Sequence, residues 1–287
     1  MGSVAMSVDR NRRGTFVSMA VAVRPLEPVE AVAPVATRLW ELDVARTLAI
    51  GMMVAFHASY DVDMLAPNLG VEPREGWLKL LQVATGSLFL GLAGMSFTVS
   101  SARARARGLS GRGLLLRQWR RAAEILAAAL AVSIVTWLLL GDGLVRFGIL
   151  HLIAAGLFLA PFAVRLGAWN LVLAAALVLA GRWTEGLSSD LPGLLPFGIR
   201  PDEGRVGVDW YPLVPWLAPF LVGLWVGTRL YPRGTRLWSS LPAPNARAAS
   251  LAGGPGRHSL AIYLGHQAVL LPLVAAVLLA AGVEIDW

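Results

Sequence analysis

The sequence predicts an all-α fold, a polytopic transmembrane helix bundle of about seven spans with a cytoplasmic N-terminus. Of its 287 residues, 56% are hydrophobic and only 15% are charged, and the mean hydropathy is +0.62. A soluble domain is nearer 45–50% apolar and about 25% charged. The apolar residues also lie in long blocks, as helices that cross a bilayer require. Composition and patterning together exclude an ordinary soluble domain.

Seven apolar segments have a length of roughly 17–25 residues, which is what crossing about 30 Å of hydrocarbon requires. In chain order they cover 42–62, 77–99, 121–140, 147–164, 168–183, 211–230 and 259–282, of which the fifth is the shortest. Before them lie residues 1–37, which are polar and contain several prolines and arginines. We predict a disordered cytoplasmic tail there and one membrane domain over 38–287.

The basic residues predict the orientation, because cytoplasmic loops of membrane proteins are enriched in Arg and Lys. Seven arginines lie between the second and third spans, in 103–121. With the N-terminus inside, 19 of the 25 basic residues are cytoplasmic, and the C-terminus lies outside. We therefore predict a multi-pass protein of the cell (inner) membrane. The net charge of +7 reflects this topology, so nucleic acid is not an expected partner.

Several kinds of site are excluded by the residues themselves. The chain has no cysteine, which excludes disulfides, thiolate metal sites and cysteine nucleophiles. It also has no H-x-x-x-H or H-E-x-x-H spacing, so no metal site is predicted. We expect no permanently bound cofactor.

The first span carries the largest number of ionisable residues. Asp43, Arg46, His57 and Asp61 fall within about 60° of one another on a helix. His57 lies about 16 Å from Arg46 along the axis, and Asp61 is one turn further, from where we expect its carboxylate to reach the imidazole. A carboxylate-oriented histidine is typical of a general base or a nucleophile. The alternative is a hydrogen-bonded pair at the outer interface.

Two further histidines, His151 and His266, lie in the fourth and seventh spans. Ionisable groups within spans are costly, so each is a candidate for a functional role. Three histidines in separate spans either line one shared cavity or form three helix–helix hydrogen bonds. The sequence pattern leaves both interpretations open.

Four motifs in order resemble one family. The first runs from Arg38–Ile50 to Phe56–Asp61, and the others are Phe147–Ile153, Asp209–Trp216 and Gly256–Gln267. Together they resemble bacterial membrane proteins related to heparan-alpha-glucosaminide N-acetyltransferase, within the transmembrane acyltransferase superfamily. Thr47 stands where that family has a glycine, a change expected to affect helix packing at the cytoplasmic side.

The resemblance implies acyl transfer across the bilayer. A cytoplasmic acyl-CoA, with acetyl the family default, is the co-substrate, and a sugar or other acceptor is acylated on the outer side. His57, oriented by Asp61, is implied as the base or as the acyl carrier. Arg46 and Asp43 are implied at the CoA phosphates, although a purely structural Arg46–Asp43 pair is the alternative.

The acceptor side of the implied cavity comprises four residues, which are His151, Asp209, Tyr211 and His266. The implied partners are acyl-CoA, a sugar or glycan and the lipid bilayer, with a homodimer left open. Two other functions suit a polar track through a bundle: a transporter or flippase for a polar or lipid-linked solute, and a non-catalytic scaffold or sensor.

Overall fold

The computed structural model describes residues 38–202, 206–238 and 245–285. Within these ranges the protein is all-α with no β-strand, which confirms the predicted fold class. The predicted tail, residues 1–37, lies outside them. The helices are α1 (Trp40–Leu65), α2 (Gly76–Ala106), α3 (Gly111–Leu140), α4 (Ile149–Ala163), α5 (Trp169–Thr184), α6 (Leu213–Leu230), α7 (Ala246–Ala252), α8 (Gly254–Arg257) and α9 (Ser259–Ala280).

Six of these helices, α1, α2, α3, α4, α6 and α9, are long and apolar enough to cross a membrane; α4 reaches 18 residues together with the 3-10 turn that continues it to Leu166. The fifth apolar helix, α5, has 16 residues and so spans only about 24 Å at 1.5 Å per residue. Of the seven predicted spans, six are therefore full-length candidates, and the shortest predicted segment is a shorter helix. The protein is a multi-pass membrane protein.

Close packing of α2 on α6 organises the centre of the bundle. A methyl group added to Gly94 of α2 would overlap the backbone oxygen of Phe220. One added to Gly223 of α6 would overlap the backbone oxygen of Gly91. Small residues on both helices thus allow the backbones to meet, as is common between helices in membranes. The buried cluster around this contact includes Leu90 and Leu224, both fully buried.

The start of α4 is tied to the segment that precedes α6. The backbone N–H of Tyr211 donates to the carbonyl oxygen of Phe147 at 2.9 Å, beside a backbone bridge between Phe147 and Trp210. Gly148 then precedes the first residue of α4, Ile149. The second and third sequence motifs are thereby brought together at one end of the bundle.

At the opposite end, α8 packs against the beginning of α1. A methyl group on Gly256 would overlap the backbone oxygen of Asp43, so only glycine allows this approach. The Thr47 hydroxyl accepts the N–H of Gly256 at 2.9 Å and donates to the Asp43 carbonyl at 3.1 Å. The threonine that departs from the family pattern therefore joins the first and fourth motifs.

Candidate active site

Two adjacent cavities lie inside the bundle. The larger, which we call the arginine cavity, has a volume of about 710 Å³ and is lined mainly by α2, α3 and α4, with fewer residues from α1, α8 and α9. The smaller, the histidine pocket, has about 60 Å³ and lies towards the start of α4 and α6. Three residues line both cavities, namely Phe89, Ile149 and Tyr263. We call these three the wall.

The arginine cavity is strongly basic. Five arginines line it together with a single acidic residue, Glu124, and several serines. Glu124 pairs with two of the arginines from its exposed position on α3. Because one carboxylate faces five guanidinium groups, the cavity is suited to a ligand that carries several phosphates. The five arginines are Arg46, Arg117, Arg120, Arg121 and Arg257.

Arg46 takes part in a network at the end of this cavity. Its guanidinium donates to the Asp43 carboxylate at 2.9 Å and to the Ser96 hydroxyl at 2.6 Å. The buried Asp43 also accepts from Arg38 at 2.5 Å and lies 3.9 Å from Arg257. Asp43 is thus an anchor for three arginines rather than a direct ligand contact, since it is absent from the cavity lining. Arg46 both pairs with Asp43 and lines the cavity.

His57 lines the histidine pocket with a defined tautomer. Its Nδ1 lies 2.9 Å from the carbonyl oxygen of Met53, one turn earlier in α1. A carbonyl only accepts hydrogen bonds, so Nδ1 carries the proton and Nε2 of the neutral ring keeps its lone pair. A neutral imidazole with a free Nε2 is the form that a general base or a nucleophile needs.

The expected contact between Asp61 and His57 is wrong. Asp61 is fully buried, and its carboxylate accepts a hydrogen bond from the side-chain amide of Gln267 in α9. Side chains on a helix lean towards its N-terminus, so the His57 ring turns back to Met53 and away from Asp61. The orienting group of His57 is a backbone carbonyl, and Asp61 instead fixes α1 to α9.

His266 does lie beside His57. Their ring centroids are 4.7 Å apart in an edge-to-face arrangement, and the Nδ1 of His266 is held by the Tyr263 carbonyl at 2.6 Å. The Nε2 of His266 is buried and has no hydrogen-bond partner among the described residues. The fourth motif therefore places a second imidazole against the first.

His151 is placed differently from the other two. Its Nδ1 accepts the backbone N–H of Gly148 at 3.2 Å, and its Nε2 faces the Ser133 hydroxyl at 3.4 Å. Both ring nitrogens are thus occupied by local contacts at the start of α4. His151 and His266 line neither the arginine cavity nor the histidine pocket, so of the three histidines only His57 lines a cavity, with the His266 ring packed beside it.

Asp209 and Tyr211 line the histidine pocket together with His57. The Asp209 carboxylate accepts the N–H of Ile149 at 3.1 Å, at the N-terminus of α4 where a negative charge is favoured. Burial raises the pKa of Asp209 to about 6, against the opposing effects of this N–H and the Tyr263 hydroxyl. Burial likewise raises the pKa of the Tyr211 phenol.

Two sets of residues escaped the sequence reasoning. The first is the row Arg117, Arg120 and Arg121. Clustered arginines between two spans predict a cytoplasmic loop, but their spacing of three and four also places the side chains on one face of α3. The second is Tyr263, which lies between the cavities and interacts with Asp209. Its position inside the fourth motif, one turn before His266, was the available signal. Among the described residues, no group of three or more His, Asp or Glu side chains is arranged to hold a metal ion.

Comparison with known proteins identifies one family. The family model described as heparan-alpha-glucosaminide N-acetyltransferase, catalytic, matches residues 38–268. The match begins just before α1 and ends within α9, so it includes the wall and both cavities. No curated protein and no solved structure matches the chain.

Proposed function

Since the chain belongs to the heparan-alpha-glucosaminide N-acetyltransferase catalytic family, we propose that it is a membrane acyltransferase that moves an acetyl group from cytoplasmic acetyl-CoA to a sugar on the outer side. Family membership makes it a transferase. The observation that supports transfer from acetyl-CoA to a sugar is the pair of cavities: the cavity on one side of the wall is basic, and the pocket on the other side contains the His57 imidazole.

The proposed donor site is the arginine cavity. CoA carries several phosphate charges, and five arginines can pair with them bidentately. Its volume of about 710 Å³ lies within the ~300–1,000 Å³ typical of small-molecule sites. With the phosphates at Arg117, Arg120 and Arg121, the pantetheine arm points into the bundle and brings the thioester to the wall.

The proposed orientation follows from the same arginines. They lie at the end of the bundle that the distribution of basic residues predicts to be cytoplasmic. The N-terminus and residues 1–37 are then inside the cell, the C-terminus is outside, and the histidine pocket opens towards the outer face of the cell membrane. Residues 38–287 form the membrane domain of this proposal.

In the proposed reaction, the free Nε2 of His57 accepts the proton of the acceptor hydroxyl or amine. The acceptor oxygen or nitrogen attacks the thioester carbonyl, the C–S bond breaks, and the CoA thiolate takes the proton from His57. Asp209 and Tyr211 bind polar groups of the acceptor in the same pocket. Transfer through an acetyl-imidazole on the same Nε2 is the alternative.

Purified protein in detergent, incubated with radiolabelled acetyl-CoA and a panel of sugars, tests the proposal. We expect a labelled sugar, and loss of its formation by a factor of about 10²–10⁴ in His57→Ala, the range for a general base. His258→Ala is the matched control, because His258 is exposed and lines neither cavity. An unchanged melting temperature of His57→Ala ensures that a lost activity reflects chemistry.

Three outcomes would contradict the proposal or part of it. Wild-type turnover by folded His57→Ala removes this residue from the mechanism. Solute flux in liposomes without any acetylated product indicates a transporter instead. Labelled protein after an acid quench without acceptor indicates the acetyl-imidazole route.

A further inference from the structure

The histidine pocket is too small for the acceptor that the proposed function requires. Its volume is only about 60 Å³. Small-molecule sites typically enclose ~300 Å³ or more. The structure is therefore a closed state on the acceptor side, and some lining residue has to move before a sugar can bind next to His57.

The wall separates the two reacting groups in this closed state. Its three side chains line both cavities, so a thioester in the arginine cavity meets them before it meets His57. Phe89 and Ile149 offer only apolar surface. Tyr263 alone in the wall has a polar group, and that hydroxyl interacts with the Asp209 carboxylate on the histidine-pocket side.

Asp209 lines the histidine pocket together with two of the wall residues, Ile149 and Tyr263. One of its oxygens accepts the backbone N–H of Ile149 at 3.1 Å, which fixes the beginning of α4. The same carboxylate lines the histidine pocket together with Tyr263 of α9. The Ile149 contact belongs to the backbone of a helix terminus, whereas Tyr263 is attached by a rotatable side chain. Tyr263 is consequently the member of the wall that a competing ligand can release.

We propose that Tyr263 is a gate between the two cavities and that Asp209 is the latch that an acceptor opens. A sugar hydroxyl or ammonium group that hydrogen-bonds to Asp209 displaces the Tyr263 hydroxyl, and the ring then leaves the wall. The thioester and His57 come into one space only when the acceptor is present. This inference rests on the proposed function for the identity of the two ligands, but the gate itself is defined by the wall.

A gate of this kind has a chemical consequence. If the wall opened without acceptor, water at His57 would attack the thioester carbonyl, the C–S bond would break, and acetate and CoA would form. Coupling of the opening to acceptor binding prevents this loss, as lids do in other transferases. Tyr263 is thus a positioning residue that controls access and takes no part in the bond exchange.

The absence of native cysteine allows a direct test of the gate. Thr85→Cys places a thiol in the histidine pocket, and Ser100→Cys places one in the arginine cavity. A membrane-impermeant thiol reagent is added to the face of sealed vesicles from which Ser100→Cys is labelled. We expect slow labelling of Thr85→Cys from that face. In the same protein, the additional change Tyr263→Phe keeps the ring and removes the latch. We expect it to accelerate the labelling of Thr85→Cys by on the order of tenfold, the factor associated with one hydrogen bond to a charged group.

Tyr60→Phe is the matched control, because it removes a tyrosine hydroxyl that lines neither cavity and should not change the labelling of Thr85→Cys. If Tyr263→Phe fails to fold, Asp209→Asn weakens the latch from its other end and should give the same direction of change. Acceptor-independent hydrolysis of acetyl-CoA should rise in parallel in either variant.

The outcomes separate the gate from the proposed function. Unchanged labelling of Thr85→Cys in folded Tyr263→Phe and Asp209→Asn overturns the gate, whether or not the protein transfers acetyl groups. Faster labelling in a protein that transfers no acetyl group supports the gate and removes the proposed reaction. Faster labelling together with acceptor-independent hydrolysis supports both.

Discussion

Replacing Asp209 by asparagine is expected to raise the thermal stability of the protein at neutral pH. Burial raises the pKa of this carboxyl from its usual 3.8 to about 6, so the folded protein binds its proton more tightly than the unfolded chain does. Asp209 lies just before α6, outside the membrane-spanning helices. The ionised side chain therefore opposes folding above pH 6.

The magnitude follows from linkage. Each unit of pKa difference is worth about 1.4 kcal/mol, so the two-unit shift corresponds to at most ~3 kcal/mol. Stability is greatest below pH 3.8, falls as the pH rises from there to about 6, and is constant above that value. This shift already includes the opposing effect of the Ile149 N–H at the start of α4, which lowers the pKa. Burial therefore outweighs the interaction with the α4 terminus.

Thermal unfolding in detergent between pH 4.5 and pH 8 measures the effect. For a chain of this size ~1 kcal/mol shifts the melting temperature by about 2–4 °C, so Asp209→Asn should gain up to about 6–12 °C at pH 7.5. The wild-type protein should melt at lower temperature as the pH rises from 4.5 to 6.5, and the variant should lose that dependence. The exposed Asp142→Asn is the control and should follow the wild-type curve.

A lower melting temperature of Asp209→Asn at pH 7.5, with the wild-type pH dependence retained, would refute the reasoning. It would mean that the charge stabilises the α4 terminus by more than its burial costs.

If instead the charge destabilises the protein at neutral pH, its role lies in the function of the pocket and not in the stability of the fold. This interpretation requires that Asp209→Asn raises the melting temperature and at the same time lowers the rate of acetyl transfer.

Two further substitutions test the remaining contacts. Arg46→Lys should raise the apparent KM for acetyl-CoA with little change for the acceptor, because lysine replaces a bidentate guanidinium by a point charge in the arginine cavity. A lower melting temperature with an unchanged KM would show that Arg46 is purely structural, through its bond to Asp43. Gly148→Ala should lower the free energy of unfolding by about 1–3 kcal/mol, measured by denaturant or thermal unfolding, because the added methyl group overlaps the Asp209 carboxylate. An unchanged free energy of unfolding would show that the start of α4 can shift to accommodate the methyl group.

The sequence was sufficient for the features that depend on one helix at a time. Periodicity placed Arg46 and His57 on one stripe of α1, and the structure puts one in the arginine cavity and the other in the histidine pocket. Hydrophobic length predicted the spans, and it also identified α5 as the shortest of them.

Features that depend on a partner helix were not accessible in the same way. Helical spacing alone leaves Asp61 within reach of His57, and the partner that the Asp61 carboxylate takes instead, Gln267, lies on a different helix, α9. The tautomer of His151 is likewise decided by an N–H of its own helix terminus and by Ser133 of α3. The order of residues along one span therefore does not predict which partner the Asp61 carboxylate or the His151 ring takes.

The position of the wall between the two cavities explains how an acyl group could reach the acceptor while its charged donor stays on one side of the membrane. Moving a charged group into the middle of a bilayer is costly, and the phosphates of CoA carry several charges. In the proposed site these charges stay with the arginines, and only the neutral acetyl thioester reaches Phe89, Ile149 and Tyr263. A transported solute would have to pass this largely apolar wall as a whole, whereas an acetyl group needs only to meet an acceptor there. The size and polarity of the two cavities thus favour group transfer over transport.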